Sequence, residues 1–194
     1  IYASSDNLSD ATVRLTHHLF GAYGLVCLDA NNHALKQLFT PVILDEVKNR
    51  KSIQAFDAFS DLMAQKDLSL QLKGRDINLF YLKDSIRARI EYKDGQYAVA
   101  ETSITFSASE LETEINNHPE HFSPNAVLRP VYQETILPNV AYIGGNAEIN
   151  YWLQLHTVFQ HFGITPPALI LRQSVWLIRA KQSEWLDSKS IAIS

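Results

Sequence analysis

Seven residue types, spread over less than fifty positions, could form one small site. Arg129 stands just before Pro130 in "NAVLRPVYQE", with Gln133 one helical turn further on and Asn125 upstream. Gly144 and Gly145 follow the apolar run "VAYI" and precede a helical stretch, and Arg172 ends the run "ALILR". Glycines let a backbone approach a ligand closely, and free amides at a helix start favour negative charge. An arginine at a helix entrance can clamp a carboxylate in a bidentate way. Glu148, Tyr151, Trp152 and Leu155 share a face at i, i+3, i+4 and i+7, so a carboxylate and two aromatic rings could wall a pocket for a sugar or an amine. Each feature also has a plainer reading: a tight turn, an N-terminal charge complementing the helix dipole, a surface ion pair, and aromatics packed on a sheet. Neither a GxGxxG fingerprint nor a P-loop is present, so the glycine pair alone does not choose between a turn and a ligand cradle.

Other chemistries find less support. His17 and His18 are adjacent and point apart on a helix; His118 and His121 flank a proline in a polar loop; His156 and His161 are five apart. None has the HxxxH spacing of a helical zinc site, and no metal site is expected. The single cysteine, Cys27, lies within an apolar run and reads as a small buried hydrophobe. It excludes an internal disulfide and fits a reducing, cytoplasmic setting. The net charge of −4, from 17 basic and 21 acidic residues, offers no basic field for nucleic acid. No apolar run reaches the roughly 20 residues of a membrane helix, and no membrane partner is expected. The sequence opens without a methionine, which suggests a processed chain or a piece of a longer protein.

The elements that must position these residues follow from periodicity. Residues 8–21 read as a helix with Ser9 as its cap, "GLVCLDA" (24–30) as a buried strand ending at Asp29, and "HALKQLF" and 41–66 as two helices, Pro41 opening the second. From Leu68 the texture alternates with period two, and Asp94-Gly95 signals a hairpin. Ser107 and Glu110 are spaced as a capping box. A short helix stops before Pro138, followed by the strand "VAYIG", a helix over 147–162, the strand "ALILR" and a tail through "SEWLD". This order predicts an α/β fold: a Rossmann-like, mainly parallel sheet flanked by helices, with a β-hairpin-rich insertion. Residues 1–67 and 106–194 would form the core and 68–105 the inserted connecting segment. The ends of "LVCLDA", "VAYIG" and "ALILR" would then meet at one sheet edge, where open α/β sheets bind ligands.

Several runs together resemble one family, the bacillithiol biosynthesis cysteine-adding enzyme BshC. They are "FGAYGLVCLDANNHALKQLF", "INLFYLKDSIRARIE" and above all "HFSPNAVLRPVYQETILPNVAYIGGNAEINYWLQLHTVFQHFGI". The last keeps S-P-N, R-P, Q, L-P, A-Y-x-G-G, E-I, Y-W and F-G in order. Two departures stand out: Asn146-Ala147 where the family has Pro-Gly, and Leu171 where it has a proline before the retained Arg172. The resemblance covers nearly the whole chain but implies a longer protein, of which this is the central portion. It implies a ligase that joins the carboxyl group of cysteine to the amine of glucosaminyl-malate, with activation through ATP and magnesium and a homodimeric full-length protein. It favours a ligand-contacting role for Gly144-Gly145, and it makes Asn125, Arg129, Gln133, Glu148, Tyr151, Trp152 and Arg172 substrate- or nucleotide-binding candidates. No catalytic residue is singled out, and the chain alone is expected to be inactive. A non-catalytic nucleotide- or sugar-binding module on a Rossmann-like fold is the alternative.

Overall fold

The computed structural model describes residues 1–191. Three helices come first: α1 (Leu8–Phe20), α2 (His33–Asn49) and α3 (Ser52–Ala64). Asn7, not Ser9, caps α1, its side chain accepting from the Asp10 amide. The break expected before Pro41 falls instead at Arg50-Lys51: α2 runs through the proline to Asn49, and the helix expected over 41–66 is divided between α2 and α3. Lys36, Phe39, Ile43, Glu46 and Val47 are buried along a single stripe of α2 that runs past the proline. Burial of that continuous face offsets the roughly 3 kcal/mol cost of an interior proline.

Strands β1 (Leu79–Lys83), β2 (Ile86–Lys93), β3 (Gln96–Val99) and β4 (Thr105–Phe106) make an antiparallel meander. Asp94 and Gly95 both take positive φ between β2 and β3, the backbone that a tight hairpin turn demands. The three-residue β5 (Phe122–Pro124) pairs with β1 and completes a five-stranded sheet in the order β4-β3-β2-β1-β5. Helix α4 (Ala108–Asn117) begins with the expected capping box of Ser107 and Glu110. Its buried Leu111 and Ile115 join Phe39, Ile43, Leu79, Tyr81, Ile90, Val99 and Phe122 in one apolar core. Asn78, at the start of the meander, is a fully buried hub. Its backbone and side-chain nitrogens donate to Glu46 at 2.7 and 3.1 Å, and its side-chain oxygen accepts from Asn125 at 2.8 Å.

The main sheet is therefore antiparallel, which corrects the expectation of a mainly parallel one. A parallel pairing exists on a smaller scale. Strands β6 (Ala141–Gly144) and β7 (Ala168–Leu171) pair in parallel, Ala141 opposite Ala168 and Gly144 opposite Leu171. Two helices cross between them, α6 (Asn146–Gln154) and α7 (His156–His161), where one had been expected. The break falls at Leu155, whose amide reaches back three residues to Trp152. Helices α5 (Arg129–Ile136) and α8 (Ala180–Ser188) complete the fold.

The third expected strand does not form. Residues 25–29 have no regular secondary structure and no strand partner among the described residues, and Leu25, Val26 and Leu28 are exposed. An apolar run becomes a strand only where a neighbouring edge accepts its backbone groups. Here the segment instead lies along α5, tied down by the Tyr132 hydroxyl donating to the Ala30 carbonyl at 2.7 Å.

Candidate functional site

Helix α5 brings in Arg129. Its start is built by Asn125, whose side-chain oxygen accepts from the amides of Val127 and Leu128 at 2.8 and 3.3 Å. Asn125 thus spends its polar atoms on the α5 turn and on Asn78, and Pro130 follows at a position where a missing N–H costs nothing. The Arg129 guanidinium, half-buried, donates to the Tyr151 hydroxyl of α6 and to the Gln133 side-chain oxygen at 3.3 Å. Beside it a cavity of about 260 Å³ opens between α5 and the 25–30 segment, lined by Val26, Leu28, Arg129, Tyr132 and Gln133 among others.

The turn from β6 into α6 supplies the second half. Gly145 has an ordinary extended backbone, so close approach and not backbone freedom explains the glycine. A Cβ added there would stand 3.2 Å from Arg172 Nη2, so the guanidinium lies directly on the glycine. At Gly144 a Cβ would come within 2.8 Å of the Tyr142 ring. The Arg172 amide donates to the Gly144 carbonyl at 2.9 Å, extending the parallel ladder by one bond and fixing the arginine at its end.

Glu148 sits where these parts meet. Its Oε2 accepts from the Gly145 amide at 2.8 Å and its Oε1 from the Tyr142 hydroxyl at 3.1 Å. These bonds, the Gly145 amide foremost, hold the carboxyl below the usual glutamate range, and the charges of Arg172 and Arg129 add to the effect. Tyr142 responds in the opposite sense. Burial, then Tyr151 and Glu148, push its hydroxyl up, so it stays a donor at neutral pH. Beneath this polar layer Trp152 is buried and stacks on Tyr142 at 4.2 Å between ring centroids. Leu155 is also in the core, so the face expected to line a pocket divides: Glu148 and Tyr151 turn to the arginines, while Trp152 and Leu155 support them from below.

The structure thus gathers Arg129, Gln133, Gly144, Gly145, Glu148, Tyr151 and Arg172 around the α5 start and the β6–α6 turn. Asn125 sits behind the α5 start and Trp152 under the aromatic pair. Tyr142 was not anticipated. Its signal was strand alternation, which puts residue 142 on the same side of β6 as Gly144. Asp29, expected at a strand end, instead accepts from the Ser9 hydroxyl at 2.8 Å and the Asn31 amide at 2.9 Å. Apart from these residues, His118, Glu120 and His121 offer three ligand atoms within 4.8 Å of one another.

Such a site combines a capped glycine turn after a parallel strand, two arginines, a Tyr151 hydroxyl that accepts from Arg129 and a Tyr142 hydroxyl that donates to Glu148. It defines an α/β domain in which two guanidiniums and a carboxylate meet at the end of a parallel strand pair. The chain belongs to the BshC family: residues 1–173 match the family description "Bacillithiol biosynthesis BshC, N-terminal Rossmann-like domain". Similar proteins include three named as candidate cysteine ligases, BshC. That of Flavobacterium johnsoniae is 42% identical over 98% of this chain and 36% of its own length. That of Flavobacterium psychrophilum is 45% identical over 94% and 34%. That of Staphylococcus haemolyticus is 30% identical over 97% and 35%. The chain spans about a third of the length of these curated relatives. Among the described residues no helix is long and apolar enough to cross a membrane.

Proposed function

We propose that this chain forms the anion-holding part of a ligase of bacillithiol biosynthesis that joins cysteine to glucosaminyl-malate. The observation that carries the reading is the meeting of Arg129, Arg172 and the Glu148-capped Gly145 turn, within the residues that match the family. Malate presents two carboxylates, and two guanidiniums, one of them held by the Tyr151 hydroxyl, are a chemical match. Tyr151 orients Arg129, and Gln133 holds its other edge, so less side-chain entropy is lost when a carboxylate docks. Glu148 has two roles in this reading. It fixes the turn, and as a carboxylate it can take a hydrogen bond from the sugar or its amine.

Amide formation needs an activated carboxyl group, and ATP with magnesium is the activator in this reading. The glycine turn does not fit its phosphates. The Gly145 amide is already given to Glu148, and a carboxylate stands where a phosphate would lie. No step is therefore assigned to a nucleotide at this turn. The residues here bind and orient the acceptor.

The test uses the full-length protein with cysteine, glucosaminyl-malate, ATP and magnesium. Arg129→Ala and Glu148→Gln should each lower ligation by about a hundredfold. Their melting temperatures should stay within about 2 °C of the parent, since both side chains are partly solvated. Parallel loss of stability and activity would make them structural residues. Substrate binding by the parent without turnover would favour a non-catalytic module.

A further inference from the structure

We propose that His118, Glu120 and His121 bind a divalent transition-metal ion of the zinc type, in a site separate from the arginine cluster. The three residues fall within four positions, "HPEH", held rigid by their surroundings. Pro119 is buried and opens a short 3-10 turn over Pro119–His121, and the His121 amide closes it on the His118 carbonyl at 3.0 Å. The next residue, Phe122, is fully buried in β5. The backbone is thus anchored while the imidazoles and the carboxylate are partly open to solvent.

The ligand atoms lie within 4.8 Å of one another. Bond lengths of about 2.0–2.2 Å around a tetrahedral ion bring ligands to about 3.3 Å apart, within reach of small side-chain rotations. The two imidazole rings already stack, 4.9 Å apart and 20° from parallel. The surroundings match what metal-binding histidines require. His121 Nδ1 is 2.7 Å from the Glu114 carboxylate, leaving Nε2 for an ion, and Glu114 also accepts from the Tyr81 hydroxyl at 2.7 Å. A carboxylate on the far nitrogen of a metal-bound histidine fixes its tautomer and raises its basicity. His33, at the start of α2, meets the other oxygen of Glu120 at 2.7 Å. Two imidazoles and one carboxylate favour zinc, cobalt or nickel over the all-oxygen preferences of magnesium and calcium. Three protein ligands leave a position for water. The ion would connect β5 and, through His33 and Glu114, helices α2 and α4.

The experiment strips the chain with a chelator and titrates it with zinc by calorimetry and with cobalt by visible absorption. One zinc per chain should bind with a micromolar or tighter Kd. Cobalt should give the d–d bands of a four- or five-coordinate site, and saturating zinc should raise Tm by about 5 °C or more. The double variant His118→Ala/His121→Ala should lose at least tenfold in affinity. Glu114→Gln, which removes no ligand, should weaken binding by about tenfold. The exposed pair His17→Ala/His18→Ala should leave it unchanged. Should the double variant fail to fold by circular dichroism, Glu120→Gln replaces it with the same expected loss. Equal zinc affinity in parent and variant, or cobalt spectra of the free aqua ion, would overturn the site.

Discussion

The antiparallel sheet and the parallel pair treat the same kind of residue in opposite ways. In the five-stranded sheet the inward residues of β1, β3 and β5 are shut away: Leu79, Tyr81, Val99 and Phe122 touch essentially no solvent. In the parallel pair Ile143 is 65% exposed and Ile170 48%. One region spends its apolar residues on a closed core. The other keeps an open apolar face and, at the carboxyl ends of its strands, gathers charge on half-buried Glu148 and Arg129 and exposed Arg172. Tight packing suits the part that holds shape, and partial solvation lets guanidiniums and a carboxylate remain ionised and free to meet a ligand.

The largest expected effect breaks the comparison at its packed end. Phe122→Ala should cost about 3–5 kcal/mol of unfolding free energy, because it opens a cavity in a core that cannot collapse around it. Ile143→Ala should cost less than about 1 kcal/mol, since little apolar area is withdrawn from water there. Urea unfolding of both variants measures the contrast. Equal losses would mean that the parallel pair is as tightly packed as the meander.

A smaller effect concerns charge. Lys36 is buried on α2, its ammonium 2.6 Å from the Phe122 carbonyl and over the Tyr132 ring. Burial pushes its pKa down from 10.5 to about 8, with Asp29 pulling weakly the other way. Below pH 8 the folded protein carries the full cost of a buried ammonium. Between pH 8 and 10.5 the folded chain releases the proton before the unfolded chain does, so stability rises with pH. The gain should be about 3 kcal/mol relative to Lys36→Met, which lacks this titration. Denaturant curves of both proteins at pH 7, 9 and 10.5 read it. A difference that stays flat across this window would mean that Lys36 is solvated.

How far these two regions were legible in the sequence also differs. The meander announced itself through local signals: period-two runs, Asp94-Gly95 as a turn that needs positive φ twice, and the Ser107–Glu110 box. Each acts within a few residues, so a linear reading suffices. The error in sheet type came from "LVCLD". An unbroken apolar run looks the same whether it enters a sheet or lies along a helix, and only the presence of a partner edge decides. β5 escaped notice because three residues carry no period. For the site, the residue types and the glycine turn were visible, and the family resemblance drew attention to them. The bond between Arg129 and Tyr151 spans 22 positions, and the seat of Arg172 on Gly145 spans 27, so no local spacing encodes either. His118, Glu120 and His121, by contrast, fall within four positions; only the outer partner His33, 87 residues from Glu120, lies beyond a local reading.

The smallest structural effect and the most direct test fall on the same residues. Arg129→Ala and Arg172→Ala remove partly solvated side chains and should barely change folding. They should nevertheless decide whether the open region holds a dicarboxylate. The measurement is calorimetric titration of the chain with malate, the acidic fragment of the proposed substrate, at low ionic strength. The account predicts saturable binding by the parent and at least a tenfold weaker Kd in each variant, since a charged bidentate contact is lost. Malate binding that is absent in the parent, or equal in the parent and both variants, would contradict it.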